Sequence, residues 1–166
     1  MKKLIATLVV AVISLVAVQS ASAQASATQN VSLAVNAVYK IAVSGNPGPL
    51  TITTGSAGVD ALTSVSDNST SYSITQNVGD NLKITAHMDA VLASGFTLKM
   101  NLASAKGTSA GDVNISNATS GSAVNLVTGI AKGADAAKSI GYTFEADATA
   151  GTLSSTSKVI TLTLTN

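Results

Sequence analysis

Apolar and polar residues alternate with a period of two along most of this chain. The longest run spans residues 31–43, in which every odd position is apolar: Val31, Leu33, Val35, Ala37, Tyr39, Ile41 and Val43. Side chains at alternate positions of a β-strand point to one face. The pattern therefore predicts a strand over 31–43, with one apolar face and one polar face.

The same alternation recurs further along the chain. It predicts strands at 82–88, 96–102, 139–147 and 160–165, and weaker strands at 50–54, 71–77, 112–116 and 123–130. Clusters of Gly, Pro, Asn and Ser, such as 45–49 and 107–111, separate these segments and are typical of turns. One short helical turn, 89–94, is the single helical candidate.

These elements favour an all-β protein. Short alternating strands with no amphipathic helix of about ten or more residues between them are typical of antiparallel sheets. We find no internal repeat and no linker that would divide residues 24–166. The sequence therefore predicts one domain, 24–166, folded as an Ig-like antiparallel β-sandwich of about eight or nine strands.

The first 23 residues have the pattern of a secretory signal peptide. Lys2 and Lys3 precede an apolar run over 4–18, and Ala21-Ser22-Ala23 supplies a small-x-small cleavage site before Gln24. The run is shorter than the roughly 20 apolar residues that a membrane-spanning helix needs. We expect a secreted protein, extracellular or at the cell surface and exported through the periplasm if the cell is Gram-negative, with no membrane span in the mature form.

Composition excludes several classes of protein. The chain has no cysteine, so it cannot be a disulfide scaffold or a cysteine-ligated zinc domain. The chain has nine basic and eight acidic residues, and this nearly neutral net charge argues against a nucleic-acid-binding protein. With 46% hydrophobic and 10% charged residues, the chain can bury a core.

The aromatic residues fall on the apolar phase of the predicted strands. We therefore expect all five in the core, which leaves no exposed ring as a stacking platform for a glycan or a single-stranded nucleic acid. They are Tyr39, Tyr72, Phe96, Tyr142 and Phe144.

Candidate catalytic and metal-binding residues are few. Gly107-Thr108-Ser109-Ala110-Gly111 matches the G-x-S-x-G pattern of hydrolases, but a strand-like segment follows it where that motif requires a helix. His87, the single histidine, would have to act as the base, with Asp89 as its candidate partner, and is more simply explained as a surface residue. We expect no catalytic residue, cofactor or metal site, although loops could bring two of Asp60, Asp67, Asp80, Asp112 and Asp135 together for an incidental calcium ion.

Three segments carry a resemblance to a known class of proteins. They are the alternating segment 31–43, the segment Ser139-Ile140-Gly141-Tyr142-Thr143-Phe144-Glu145-Ala146 and the C-terminal Val159-Ile160-Thr161-Leu162-Thr163-Leu164-Thr165. With the signal peptide, this pattern resembles bacterial secreted β-sandwich surface proteins: fimbrial and spore-coat-U-like pilin subunits and some WxL-type surface domains. The chain departs from them in having no disulfide and no W-x-L motif. The resemblance implies an extracellular subunit with a structural or adhesive role.

Two functional hypotheses follow. The first is a structural surface protein, a fibre or pilus-like subunit whose partners are itself or other surface subunits. Val31, Leu33, Val35 and Ala37 then form a candidate segment for strand addition to a neighbouring copy, although the same segment could instead be the first strand of its own sandwich. The alternative hypothesis is a binding module that recognises a glycan or a protein through its loops.

Overall fold

The computed structural model describes residues 25–166. The predicted signal peptide, 1–23, lies outside this range. Residues 25–34 have no regular secondary structure and are exposed. All the strands described below lie within the unit Val35–Asn166.

Within the described residues the chain forms nine strands and no α-helix, and the predicted antiparallel β-sandwich is confirmed. The strands are β1 (Tyr39–Ser44), β2 (Val65–Gln76), β3 (Leu82–Met88), β4 (Phe96–Leu102), β5 (Thr108–Ser109), β6 (Val113–Asn114), β7 (Val124–Ile130), β8 (Gly133–Ala146) and β9 (Ile160–Thr165). One turn of 3-10 helix, Ala148–Ala150, follows β8.

The strands form two sheets in which all the pairings are antiparallel. The five-stranded sheet has the order β1-β2-β8-β4-β6, and the four-stranded sheet has the order β5-β7-β3-β9. The alternation in the sequence corresponds to alternating burial. In β3 and β4 the first, third, fifth and seventh residues are buried, and the residues between them are partly exposed. This is the behaviour expected of strands with one face against a core.

The core is one cluster to which both sheets contribute. Ile84 and Val127 of the four-stranded sheet and Met100 and Leu102 of the five-stranded sheet are fully buried. Burying each such large side chain contributes about 1.5 to 3 kcal/mol. Because the chain has no cysteine, this apolar packing stabilises the fold without disulfides.

The structure corrects three sequence-based expectations of secondary structure. The predicted strand 31–43 is wrong over 31–38, because β1 begins at Tyr39. Residues 50–54 form no strand, although the side chain of Leu50 packs against the core. Residues 89–94 form bends and part of a turn and no helix. Alternation detects a segment that suits a strand, but a strand also needs a partner for its main chain.

One aromatic residue is misplaced by the sequence pattern. Tyr72, Phe96 and Tyr142 are buried and Phe144 packs partly buried against the core, as expected. Tyr39, in contrast, is 58% exposed. It lies at the first position of an edge strand, where little of the sandwich covers it.

Candidate functional site

The candidate strand-addition segment is an exposed apolar stripe. Val31, Leu33 and Val35 are 70%, 89% and 88% exposed, Ala37 is exposed too, and none of the four lies in a strand. Isolated exposed apolar residues are common, but a contiguous set is typical of an interaction surface. Three large apolar side chains at alternate positions would line one face of this segment in an extended conformation.

Asn77 anchors the chain at the C-terminal end of this segment. Its side-chain Oδ1 accepts a hydrogen bond from the Val38 N–H at 2.7 Å, and its Nδ2 donates to the carbonyl of Asn36 at 3.0 Å. The N–H of Asn77 also donates to the carbonyl of Val38 at 2.9 Å. These three bonds fix the backbone of residues 36–38 as it enters β1.

The turn that carries Asn77 is itself held by a buried amide. Gln76 is 2% exposed, and its Nε2 donates to the carbonyl of Gly79 at 2.7 Å and more weakly to that of Ile130 at 3.3 Å. Its Oε1 accepts from the N–H groups of Val78 and Gly79. A buried amide with both ends satisfied holds this turn in one conformation.

Two edge strands meet at one side of the sandwich. Among residues 25–166, β1 pairs only with β2 and β9 pairs only with β3, and β1 and β9 approach each other across the two sheets. Their inward-facing apolar residues are less covered than those of the central strands. We call this surface the β1/β9 edge and define it by Tyr39, Ile41, Val43, Ile160 and Leu162.

The exposure of the β1/β9 edge differs from that of the core. Tyr39 and Val43 are 58% and 57% exposed, and Ile41, Ile160 and Leu162 are only partly buried. The apolar face of β3, the neighbour of β9, is by comparison fully buried. Apolar side chains are therefore partly exposed at this edge. Beside them, β1 and β9 each have one side whose main-chain groups pair with no other strand among the described residues.

The G-x-S-x-G segment does not form a nucleophile turn. Ser109 lies in the two-residue strand β5, which pairs with β7, and its hydroxyl accepts from the Gly111 N–H at 3.1 Å. β7 lies between β5 and β3, the strand that carries His87. Asp89 lies beyond the end of β3, and its Oδ1 accepts from the N–H groups of Ala90 and Val159. The structure does not bring these three side chains together as a catalytic group.

One of the aspartates that the sequence left in a loop is a buried structural residue. The Asp135 side chain, in β8, is 4% exposed, and its Oδ2 accepts from the N–H groups of Ala105 and Lys106 and from the Ser104 hydroxyl. Lys138 Nζ lies 3.2 Å from its Oδ1. Burial opposes ionisation, but these hydrogen bonds outweigh it and lower the pKa of Asp135. This carboxylate ties the loop 103–107 to β8.

Sequence reasoning missed Asp135 because β8 is irregular. Ala137 has a positive φ of 50°, and the register with β2 shifts between Tyr72 and Ile74. Such a bulge changes the phase of burial along a strand. The alternation that predicted 139–147 therefore does not extend back to Gly133, where β8 begins.

The described part of the chain gives no indication of a metal centre or a membrane-spanning helix. Within residues 25–166 no group of three or more His, Asp or Glu side chains is placed to hold a metal ion. Over the same residues, no helix has the length and apolarity needed to cross a bilayer.

Comparisons of the chain with protein-family models, with curated proteins and with solved structures found no match. The functional argument therefore rests on the geometry of the chain itself.

Proposed function

We propose that this chain is a secreted bacterial structural protein of the cell surface, a fibre or pilus-like subunit that assembles by strand addition. In this proposal the segment with Val31, Leu33, Val35 and Ala37 of one copy adds as a strand to the β1/β9 edge of the next copy. The observation that carries the proposal is the coexistence of an exposed, alternating apolar segment and an apolar sandwich edge in one chain.

The donor segment has the chemistry that strand addition needs. Main-chain groups of an extended segment pair with a sheet edge, and alternate side chains fill pockets of the acceptor. Burying Val31, Leu33 and Val35 would each contribute about 1.5 to 3 kcal/mol to the free energy of assembly, as an upper estimate. That energy offsets the loss of freedom of a segment that is exposed in the single chain.

The acceptor edge supports the same proposal. An edge strand presents a row of unpaired N–H and C=O groups, which invites pairing with another chain. A strand added beside β1 or β9 would also cover Ile41, Ile160 and Leu162, which are only partly buried in the single chain. Both polar and apolar groups of the edge would then gain partners.

Export is part of the proposal. The predicted signal peptide and cleavage before Gln24 would deliver residues 24–166 to the cell surface or the medium. Subunit contacts made by strand addition would add stability to a chain that has no cysteine for disulfides.

The oligomeric state of the mature chain tests this function. We expect residues 24–166 to form multimers that grow with concentration and resist mild denaturant, measured by size-exclusion chromatography with light scattering. Leu33→Asp should give monomers, because it places a charge on the donor face. Val59→Asp is the matched control, since Val59 is also an exposed large apolar residue, at 54%, but lies in a loop outside the segment and the edge.

Two results would contradict the proposal. One is a wild-type chain that stays monomeric at high concentration, which would favour the alternative of a monomeric binding module. The other is equal assembly of wild type and Leu33→Asp, which would show that the segment is not the donor.

A further inference from the structure

A polar cleft lies on the outer face of the five-stranded sheet. Its volume is about 470 Å³, within the size range of small-molecule sites. The cleft lies over Gly141 of β8, the central strand of this sheet, and residues of β2 and β4 also line it. Gly141 lies between the buried residues Ile140 and Tyr142, so its position faces outward.

Neither the backbone conformation nor close packing requires a glycine at position 141. It is not among the glycines with positive φ. A Cβ on this residue would have Asn101 Cβ at 3.7 Å and the Asn101 carbonyl oxygen at 3.9 Å as its nearest neighbours, which is ordinary contact. A glycine inside a strand costs stability and often marks a place where a ligand approaches the backbone closely. The missing side chain leaves the floor of the cleft open.

Several polar groups of the cleft make few or no hydrogen bonds to the described residues and could bind a ligand. Among the described residues, the Asn68 amide and the Ser139 hydroxyl have no hydrogen-bond partner, and the Asp112 carboxylate accepts one bond, from Asn101 Nδ2 at 2.9 Å. An amide offers donors and acceptors, a hydroxyl offers both, and a carboxylate accepts several bonds. Donors and acceptors thus stand side by side around Gly141.

The charges of the lining narrow the class of ligand. Asp67 and Asp112 are the charged residues that line the cleft, so phosphate, sulfate and other anions are disfavoured. Within residues 25–166, no third acidic or histidine side chain joins these two carboxylates in a group that could hold a metal ion. The polar lining does not suit an apolar ligand. Vicinal hydroxyl groups, which donate and accept, match this set of partners.

We infer that the cleft over Gly141 binds a neutral carbohydrate through hydrogen bonds with Asn68, Asn101, Asp112 and Ser139, in which the Asp112 carboxylate accepts. The sequence reasoning left no exposed aromatic ring as a stacking platform for a glycan, and this cleft would bind a sugar through polar groups instead. Tyr142 also lines the cleft but is only 8% exposed and offers little ring face for stacking, so binding of a single sugar unit should be weak. The inference is independent of strand addition, which uses a different part of the sandwich.

The test uses amide NMR spectra of the mature chain, 24–166. The probes are the neutral disaccharides maltose, cellobiose, lactose, mannobiose and diacetylchitobiose, each titrated to saturation, with glucose 6-phosphate as an anionic comparison. We expect at least one disaccharide to shift the amide signals of Asn68, Asn101 and Gly141 in a saturable way, and glucose 6-phosphate to shift them less. If none of these disaccharides gives saturable shifts at the cleft, the inference is wrong.

Variants separate binding from folding. Gly141→Thr should abolish the sugar-induced shifts while its melting temperature stays the same or rises, because threonine fills the floor and suits a strand. Ala134→Thr, at an exposed position of the same strand outside the cleft, should bind like wild type. Asn68→Ala, at an exposed residue with no hydrogen-bond partner in the described chain, should weaken binding several-fold and provides the test if Gly141→Thr fails to fold. Unchanged binding in both Gly141→Thr and Asn68→Ala would overturn the inference.

Discussion

The rings of Phe96 and Phe144 stack on neighbouring strands, with centroids 6.3 Å apart and planes inclined by 13°. Phe96 begins β4, and Phe144 lies near the end of β8. Phe144 packs partly buried against the core, and Phe96 is buried. An offset stack of this kind adds about 0.5 to 1.5 kcal/mol to the apolar burial of the two rings.

The first prediction follows from this stack. Phe144→Ala should destabilise the fold by about 3 kcal/mol, because it removes apolar burial and one ring of the pair. Glu145→Ala, at the next position, should cost no more than about 1 kcal/mol, since the ion pair of Glu145 with Lys99 is partly exposed. Denaturant melts of the two variants measure the difference. Equal losses of stability in the two variants would mean that the inward and outward faces of β8 are assigned incorrectly.

Thr70 carries a buried hydroxyl with no hydrogen-bond partner among the described residues. Thr70→Val replaces this hydroxyl by a methyl group of similar size and should raise the free energy of unfolding by about 1 kcal/mol. Thr143→Val is the control, because the Thr143 hydroxyl lies 2.8 Å from that of Ser66 and its loss should not stabilise the fold. A lower melting temperature for Thr70→Val would show that the hydroxyl does have a partner in solution.

Asp135 should make the free energy of unfolding decrease at acidic pH. Its folded pKa lies below the ordinary value of 3.8, so its contribution is present above that value and is lost as the pH falls through the folded pKa. Asp135→Asn should cost about 2 kcal/mol at neutral pH, where hydrogen bonds to a charged group are lost. The difference from wild type should shrink below about pH 4.

Melts at a series of pH values measure this difference directly. The pKa of Asp67 is also lowered, chiefly by its bond with the Ser69 hydroxyl, so it too affects acid stability. Comparing wild type with Asp135→Asn at each pH removes that common effect. A difference that is the same at pH 3 and pH 7 would show that the Asp135 carboxylate is not held as described.

Much of the sandwich could be predicted because several of its strands alternate strictly. The alternation at 82–88, 96–102 and 160–165 gives the bounds of β3, β4 and β9 as the structure has them. The same signal failed at residues 31–38, since it reports which side chains suit a strand and not whether the main chain has a partner. It also placed Tyr39 in the core, although an edge strand covers its first residue poorly.

The functional surfaces were only partly visible in the sequence. The apolar stripe of Val31, Leu33 and Val35 could be recognised from its alternation, but the β1/β9 edge that we propose as its acceptor depends on the order of strands in both sheets. The cleft over Gly141 could not be predicted, because it depends on which residues of β2 and β4 lie beside a glycine of β8.

The most direct test of strand addition supplies the donor as a separate peptide. The chain 37–166 keeps all nine strands and lacks most of the proposed donor segment. We predict that a fluorescent peptide of residues 24–36 binds this chain saturably, measured by fluorescence anisotropy, and that the same peptide with Leu33→Asp does not. A peptide that fails to bind the folded chain, or that binds equally well with Leu33→Asp, would contradict the account.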